Sequence, residues 1–292
     1  MKTTLFDLSN NSDLANRIIK RLELNCGELE SRHFPDGEIY QRVHSDVKGD
    51  RVIVFTNLFM PDPQLFGILS LGHTLKEIEA KQIILIAPYL PYMRQDIRFK
   101  TGESVTSRHF ARHLSLAYDQ LITVDPHLHR YHRLEEIYTL EGRVLSAKQV
   151  IADYLKEKDH PLILIGPDEE SEQWVSAIAN AANLPYQILL KERRGDLNVS
   201  VSKPALDNYK NHQPVLIDDI ISSGRTMLST LDRLETAGMP RALIVGVHGL
   251  FAAESFELLS SRAQVVTTNT VPHSSNAIDI SGTIAEALAS SV

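Results

Sequence analysis

Seven short apolar runs, spread along the chain, constrain its fold more than any other feature. Each run is rich in valine, isoleucine or leucine and lacks the regular polar–apolar alternation of a strand with one solvated face. Such runs are typical of strands covered on both faces, as in a parallel sheet flanked by helices. The predicted strands are residues 51–55, 82–90, 120–124, 161–166, 214–218, 242–247 and 263–268.

Helical patterns alternate with these strands. Residues 63–80, 104–118 and 225–237 place apolar side chains at mostly three- to four-residue spacing, and Gly238 supplies a stop signal after the last of them. Because strand and helix alternate through both halves of the chain, we predict α/β architecture. The stretch 27–47 instead predicts two hairpin strands around the turn FPDGE.

Chain length and a break in this pattern predict two domains. The chain has 292 residues, whereas a typical domain has ~100–200. Residues 131–145 are polar and contain no long apolar run, so we expect the boundary there, with domains over residues 1–142 and 143–292. We expect a final helix over residues 283–290 to pack back onto either domain, the N-terminal domain included.

Charge and cysteine content exclude several classes of protein. The chain carries 37 acidic and 30 basic residues, a net charge of −7, which argues against a protein that mainly neutralises nucleic-acid phosphates. The single Cys26 excludes an intramolecular disulfide framework and a cysteine-based zinc cluster. We see no signal-peptide pattern and no apolar run of the ~18–20 residues that span a membrane. We therefore expect a cytoplasmic protein with no nucleic-acid or membrane partner.

The segment VLIDDIISSGRTM, residues 215–227, is the most informative motif. A hydrophobic strand leads into Asp218 and Asp219, a small-residue loop over 222–224 follows, and a helix is predicted to begin near Thr226. Unsatisfied N–H groups and the helix dipole favour an anion at such a helix start. Carboxylates at the strand end would bind hydroxyl groups directly or through Mg²⁺. The pattern indicates a sugar-phosphate site, with a capped helix after an exposed acidic turn as the alternative interpretation.

This segment resembles the phosphoribosyl-diphosphate-binding loop of type I phosphoribosyltransferases and of ribose-phosphate diphosphokinases. Further motifs resemble the diphosphokinases nearly end to end, and the RQD–RFK–GE spacing is most similar to their short archaeal-type members. They are FPDGE (34–38), PYMRQDIRFKTGE (91–103), VDPHLH (124–129), GPDEE (166–170), KERRGD (191–196), NTVP (269–272) and IAEAL (284–288). The resemblance implies two type I phosphoribosyltransferase-like domains, each a mainly parallel sheet flanked by helices.

The resemblance also implies an activity. Ribose-phosphate diphosphokinases transfer the β,γ-diphosphoryl group of ATP to the anomeric hydroxyl of ribose 5-phosphate with Mg²⁺, and AMP leaves. They are homo-oligomers in which the FPDGE loop is presented to a neighbouring subunit's active site. Phosphoryl transfer needs mainly positioning and cancellation of negative charge, for which Arg94, Lys191 and Arg193 supply cations. The chain contains no GxxxxGK[ST] sequence, so ATP is not expected in a P-loop of that kind.

The family's functional residues carry over position by position. Lys191 and Arg193 match the catalytic cations of its mobile loop. The implied ATP contacts are Phe34, Asp36, Glu38, Arg94, Gln95, Asp96 and His127. The implied ribose 5-phosphate contacts are Asp218, Asp219, Ser222, Ser223, Gly224, Arg225 and Thr226. The implied metal contacts are His127 and Asp168; the cluster of His127, His129 and His132 would otherwise suggest a transition-metal site.

Two segments depart from the family pattern. Glu169, Glu170 and Ser171 stand where many members have a glycine-containing loop, and in the phosphate loop Ser223 replaces a threonine and Arg225 a glycine. Two other functions therefore stay open: a non-catalytic relative that regulates a synthetase, and a type I phosphoribosyltransferase. The retained cations and acids argue against the first, and the ATP motifs argue against the second.

Overall fold

The part of the chain that the computed structural model describes forms two compact units. The described residues are 2–9, 12–167, 171–189, 191–194, 198–201 and 206–290. The first unit is built from residues 1–146 and 281–292, and the second from residues 147–280. Both units are α/β structures, as predicted. Within the described residues, every helix is too short or too polar to cross a membrane.

The first unit is built on a six-stranded parallel sheet and one antiparallel hairpin. Its strands are β1 (Thr3–Asp7), β2 (Asn25–Cys26), β3 (Leu29–His33), β4 (Ile39–Val43), β5 (Arg51–Phe55), β6 (Gln82–Ile86), β7 (Gln120–Val124) and β8 (Glu141–Leu145). The sheet order is β2-β1-β5-β6-β7-β8, and β3 and β4 form the predicted hairpin around FPDGE. The helices of this unit are α1 (Asp13–Leu22), α2 (Asp62–Glu77), α3 (Thr106–Ala117) and α8 (Ser281–Ala289).

The second unit contains a sheet and a hairpin of the same kinds. Its strands are β9 (Leu162–Gly166), β10 (Tyr186–Ile188), β11 (Lys191–Arg194), β12 (Asn198–Val201), β13 (Gln213–Ile221), β14 (Leu243–Gly249), β15 (Gln264–Thr268) and β16 (Asn276–Ile278). The order of the parallel sheet is β10-β9-β13-β14-β15-β16, and β11 pairs with β12 in an antiparallel hairpin. Its helices are α4 (Lys148–Lys156), α5 (Glu172–Ala182), α6 (Arg225–Thr236) and α7 (Ser255–Arg262).

Both units therefore have one topology. In each, the first strand pairs with the second, a hairpin follows, and the remaining four strands extend the sheet from the first strand outward. The central strands β5, β7, β9 and β14 are buried at every residue. This burial on both faces explains why their sequences are continuous apolar runs rather than alternating ones. All seven strands predicted from the apolar runs, the two predicted hairpin strands and all four predicted helices are present.

Gly72 shows why a residue that weakens a helix stands inside α2. A Cβ atom at this position would lie 2.9 Å from both the Cβ atom and the carbonyl oxygen of Ala117 at the end of α3. The two helices therefore approach too closely for a side chain. Next to this contact the buried hydroxyl of Tyr118 donates a hydrogen bond of 2.7 Å to the carbonyl of Ile68. Close packing thus offsets the low helix propensity of glycine.

The last helix, α8, packs on α1 of the first unit. The Arg21 side chain donates a 2.9 Å hydrogen bond to the Ser281 hydroxyl at the start of α8. At the other end of α8, the guanidinium groups of Arg51 and Arg143 donate to the backbone carbonyls of Leu288 and Ala287. Cations at a helix C-terminus satisfy its orphan carbonyls and complement the helix dipole. In the second unit α4 packs on α5 in the corresponding manner.

Several elements differ from the sequence-based expectation or are missing from it. Strand β13 continues to Ile221, beyond the predicted end at Asp218, because Ile220 and Ile221 pair with β14. Residues 131–145, predicted as a polar boundary, contain the buried Tyr131 and the edge strand β8. Strand β1 and helix α1 were not predicted. Strand β1 is short, with only five residues. Helix α1 carries a helical signal that the prediction missed, with Ser12 as its N-cap and Leu14, Ala15 and Ile18 on one buried face.

Candidate active site

The loop that joins β13 to α6 has the geometry of an anion site. Gly224 adopts a left-handed backbone with φ of 67°, and α6 begins at Arg225, the first residue of the predicted helix over residues 225–237. An added Cβ at Gly224 would lie 3.0 Å from a methyl group of Leu259, so the turn has little room for a side chain. Ser222 is held by its carbonyl, which accepts a 2.8 Å bond from the Ser255 hydroxyl.

The N-terminus of α6 is open toward solvent. Ser223, Arg225 and Thr226 are exposed. No side chain among the described residues caps this helix. The first N–H groups of a helix have no partner within it, and the helix dipole makes this end partially positive. Two hydroxyl groups and one guanidinium group therefore surround backbone donors at a single exposed helix start.

Asp218 and Asp219 lie within β13, immediately before this loop. Both side chains are half-buried, and the backbone N–H of Asp219 donates a 3.0 Å bond to Oδ1 of Asp218. Asp218 pairs with Gly246 of β14, where a Cβ would lie 2.6 Å from the Ile221 side chain. The sheet thus brings two carboxylates next to the anion loop, with hard oxygen donors suited to hydroxyl groups or Mg²⁺.

In the first unit the predicted ATP segment is the loop between β6 and α3. Arg94 and Gln95 are exposed there. The Gln95 side chain accepts a 2.7 Å bond from the Thr106 hydroxyl, and its backbone carbonyl accepts a 3.1 Å bond from the Ser107 hydroxyl. The start of α3 therefore holds this loop in place and leaves the Arg94 guanidinium on the surface.

Asp96 differs from its two neighbours because its side chain is only 2% exposed. Oδ1 of Asp96 forms an ion pair of 2.8 Å with Nη1 of Arg130, a residue in the loop after β7. Its other oxygen, Oδ2, is buried and has no hydrogen-bond partner within the described residues. The backbone carbonyl of Asp96 accepts a 3.0 Å bond from the Tyr131 hydroxyl. The predicted contact of Asp96 with ATP stays a prediction, whereas its contact with Arg130 is observed.

The histidines of the loop after β7 stack rather than converge. His127 is half-buried, and its ring lies parallel to the exposed His129 ring with centroids 6.3 Å apart. In the part of the chain that is described, no three His, Cys, Asp or Glu side chains group as they would around a metal. A structural zinc site needs about four protein ligands. The described residues therefore lend no support to the zinc alternative.

The FPDGE turn closes the β3–β4 hairpin. The Phe34 N–H donates a 2.8 Å bond to the Glu38 carbonyl, and Gly37 turns the chain with φ of 93°. The Glu38 N–H donates 3.3 Å to the Asp36 side chain, and Phe34 is 41% exposed. The Arg32 guanidinium lies 4.8 Å from the Phe34 ring centroid. The turn thus displays an aromatic ring that a cation orients from within the same hairpin.

Three predicted residues lie wholly or partly outside the described residues. Lys191 and Arg193 occupy β11, where they pair with Val201 and Val199, but their side chains are not described. Asp168 belongs to the part of the chain that is not described. Their roles stay predictions. Sequence reasoning missed Arg130, because its partner Asp96 is 34 residues away and no spacing pattern joins the two.

Family models match both halves of the chain. The model described as the N-terminal domain of ribose phosphate pyrophosphokinase matches residues 3–117. The phosphoribosyl transferase domain matches residues 133–278. A solved structure of phosphoribosylpyrophosphate synthetase from Mycobacterium smegmatis is similar with a TM-score of 0.86 at 23% identity, covering 100% of this chain and 99% of that one. This last similarity shows that the fold is shared.

Relatives with higher sequence identity to this chain are ribose-phosphate pyrophosphokinases. The ribose-phosphate pyrophosphokinase of Pyrococcus furiosus is 32% identical over 246 residues, which cover 84% of this chain and 86% of the relative. That of Methanopyrus kandleri is 30% identical over 279 residues, 94% of either chain. The resemblance drawn from the motifs is confirmed, and neither alternative function is favoured. The chain therefore belongs to the ribose-phosphate pyrophosphokinase family and is a transferase of that class.

Proposed function

We propose that the protein converts ATP and ribose 5-phosphate into 5-phosphoribosyl 1-diphosphate and AMP. The anomeric hydroxyl oxygen bonds to the β-phosphorus of ATP, the bond from that phosphorus to the α,β-bridging oxygen breaks, and AMP leaves with that oxygen. The hydroxyl proton passes to solvent. One observation carries the proposal: the open N-terminus of α6, with its left-handed Gly224 and adjacent carboxylates.

The second unit binds ribose 5-phosphate in this proposal. The backbone N–H groups at the start of α6 and the hydroxyls of Ser223 and Thr226 donate to the 5-phosphate. Arg225 adds a positive charge where many relatives have glycine. Ser222 and Gly224 shape the loop so that the phosphate approaches the backbone. The half-buried Asp218 and Asp219 accept hydrogen bonds from the ribose hydroxyls.

The first unit binds ATP in this proposal. The exposed Arg94 and Gln95 contact the nucleotide from the loop that Thr106 and Ser107 hold in place. The exposed ring of Phe34 stacks on adenine. Asp36 and Glu38, at the same turn, accept hydrogen bonds from the base or the ribose. Following the family, we propose a homo-oligomer in which this turn serves the active site of a neighbouring copy.

Magnesium fits the oxygen donors next to the α6 loop. Mg²⁺ takes oxygen ligands and is commonly bound by one or two carboxylates together with substrate phosphates and water. Asp218 and Asp219 offer such oxygens. His127 and Asp168 are the metal contacts that the family implies. When bound, the ion would offset part of the negative charge of the polyphosphate. We also propose a cytoplasmic location, where its substrates are available.

Lys191 and Arg193 stabilise the transferring group in this proposal. Both belong to the β11–β12 hairpin, two positions apart on one strand. A guanidinium binds phosphate oxygens in pairs, and an ammonium acts as a mobile point charge. Such groups act most strongly where charge shifts in the transition state.

An activity assay tests the proposal directly. Purified protein with Mg²⁺, ATP and ribose 5-phosphate should form AMP and 5-phosphoribosyl 1-diphosphate in equal amounts. The control omits ribose 5-phosphate and measures AMP from ATP alone. If AMP formation does not exceed this control, the proposed reaction is wrong and the non-catalytic alternative returns.

A further inference from the structure

We infer that Arg130 is a further ATP-binding residue and that the buried Asp96 is the residue that positions it. This inference rests on the proposed function, because it takes the loop carrying Arg94 and Gln95 as the nucleotide site. Neither the motifs nor the family match assigns a role to Arg130. The ion pair of 2.8 Å between the two side chains is the observation from which the inference starts.

Asp96 is an unusual partner for a surface arginine. Its side chain is 2% exposed, whereas that of Arg130 is 39% exposed. Burying a carboxylate is unfavourable unless a cation and hydrogen bonds compensate, and one of its oxygens has no hydrogen-bond partner among the described residues. The pair is therefore asymmetric: the buried acid holds one end of the guanidinium, and the rest of that group extends to the surface.

Aromatic residues support the pair from two sides. The Phe99 ring centroid lies 5.5 Å from the Arg130 guanidinium carbon, within the range of a cation–π contact. The Tyr131 hydroxyl donates 3.0 Å to the Asp96 carbonyl and accepts 3.0 Å from Nε of Arg108 in α3. The backbone of Asp96 is thus tied to a helix of the first unit, which restricts where Arg130 points.

A held guanidinium has donors left for a ligand. Arginine presents five N–H donors in a planar fork, and the observed hydrogen bond to Asp96 uses Nη1 alone. An oriented fork loses little conformational entropy when it binds two phosphate oxygens, which is why arginine suits phosphate recognition. The ligand that matches these donors is the polyphosphate of the nucleotide.

The surroundings of Arg130 agree with a nucleotide. Its partner Asp96 directly follows Arg94 and Gln95 in the chain. His127, another predicted ATP contact, lies three residues before Arg130. The same loop that carries Asp96 also exposes Arg98 and Lys100. The loops after the neighbouring strands β6 and β7 therefore both carry cations, and the Asp96–Arg130 ion pair joins these two loops. Asp96 therefore contributes to the ATP site by positioning Arg130, not by contacting ATP itself.

A purely structural ion pair would join the two loops without binding ATP, so the test must separate stability from affinity. The full chain is titrated with Mg-ATP by calorimetry in the absence of ribose 5-phosphate, and its melting temperature is recorded with and without the nucleotide. The variants are Arg130→Gln, Arg130→Lys and Asp96→Asn. Arg112→Gln, which changes an exposed arginine of α3, is the matched control.

We expect Arg130→Gln to weaken ATP binding about tenfold, the effect of losing a charge-assisted hydrogen bond. Arg130→Lys should recover part of the loss, because it keeps the charge but not the fork. Asp96→Asn should weaken binding about threefold, by releasing the arginine. In steady-state kinetics the KM for ATP should rise about tenfold in Arg130→Gln while kcat changes less than about threefold.

Arg130→Gln leaves the buried carboxylate without its cation and is expected to be less stable. The double variant Asp96→Asn/Arg130→Gln removes both charges, so it keeps the test valid if the single variant does not fold. It should bind ATP as weakly as Arg130→Gln, since the two residues act as one unit. If the double variant binds ATP within twofold of the wild type, Arg130 is only structural and the inference is wrong. If the wild type itself binds no ATP, the proposed function fails instead.

Discussion

Helices α2 and α6 follow equivalent strands of the two units, yet their N-termini have opposite chemistry. Helix α2 begins with Asp62 and Pro63, and the Tyr92 hydroxyl donates to the Asp62 carboxylate. Burial, together with this acid, raises the pKa of Tyr92 to about 12, so the hydroxyl keeps its proton near neutral pH. At α6 a glycine, an arginine and a threonine replace these residues. The same topology therefore has an acidic helix start at α2 and a helix start without an acidic residue at α6.

The loops that follow β6 in the first unit and β14 in the second unit differ in length. In the first unit residues 87–105 separate β6 from α3, whereas in the second unit only residues 250–254 separate β14 from α7. The longer loop carries Arg94 and Asp96 and reaches Arg130. A short loop keeps a ligand on backbone groups, and a long loop offers side chains. In the proposed function, this difference lets one fold provide a sugar-phosphate site in one unit and a nucleotide site in the other.

The two hairpins also differ between the units, and a substitution in the second one has the largest expected effect. The first hairpin displays Phe34 at its turn, and the second carries Lys191 on a strand. Lys191→Ala should lower kcat about 100-fold or more with a smaller change in KM, because it removes charge stabilisation of the transition state.

Phe34→Ala is the counterpart in the other hairpin. It should mainly raise the KM for ATP, about tenfold, by removing a stacked ring. Steady-state kinetics of both variants measure the contrast. An unchanged kcat in Lys191→Ala would remove that residue from catalysis and reopen the alignment of β11 with the family.

The open N-terminus of α6 is tested by Thr226→Val, which removes one hydroxyl and keeps the shape of the side chain. The KM for ribose 5-phosphate should rise about fivefold, while the free energy of unfolding changes little, because Thr226 is exposed. Thr236→Val, at the other end of the same helix, is the matched control. Equal Michaelis constants in the two variants would contradict the phosphate site.

Substitutions at the C-terminal ends of α1 and α5 should have a smaller effect, which is on stability. Glu23 is the C-cap residue of α1 with φ of 51°, and Asn183 is the C-cap residue of α5 with φ of 56°; both are exposed. Glycine adopts this left-handed conformation without strain, and asparagine tolerates it better than glutamate. Glu23→Gly should therefore raise the free energy of unfolding by about 0.5–1 kcal/mol, and Asn183→Gly should change it less. Urea denaturation of both variants measures the difference, and a larger gain at Asn183 would contradict this account.

The loop after β15 gives the smallest effect, a dependence of stability on pH. His273 packs against Phe251 and Phe256 with ring centroids 4.5 Å away in both cases, and burial lowers its pKa below 6.5. The unfolded chain then binds a proton more readily than the folded one. Stability should fall as the pH drops below about 6.5.

His273→Gln removes this titratable group and should reduce the loss of stability on acidification. The measurement is the free energy of unfolding above and below the ordinary histidine pKa, in wild type and variant. The Ser275 N–H donates to Nδ1 of His273 at 3.1 Å, so this nitrogen acts as an acceptor in the fold. Identical acid dependence in both proteins would show that other groups control it.

Some elements of the fold could be predicted from the sequence, and others could not. The continuous apolar runs predicted β5, β7 and β14, because burial on both faces leaves a direct mark on composition. The edge strand β8 left no such mark, since one of its edges has no strand partner among the described residues and its sequence is mixed. Helix α6 was predicted over residues 225–237 from its periodicity and its Gly238 stop, and it begins at Arg225, directly after the left-handed turn at Gly224.

The candidate site also has one part that the sequence predicted and one part that it did not. The acids and small residues of the phosphate loop are contiguous in sequence, so a local pattern was enough to predict an anion site there. The amino-acid sequence alone predicted the α/β class and that loop, because both leave a short-range periodic or local pattern, and its motifs carried the resemblance to the family. The folded structure was needed to show that Asp96 is buried against Arg130, that α8 packs on α1, and that the two sheets have equivalent strand orders. These features depend on contacts between distant residues, and such contacts arise from packing and charge compensation that no local pattern records.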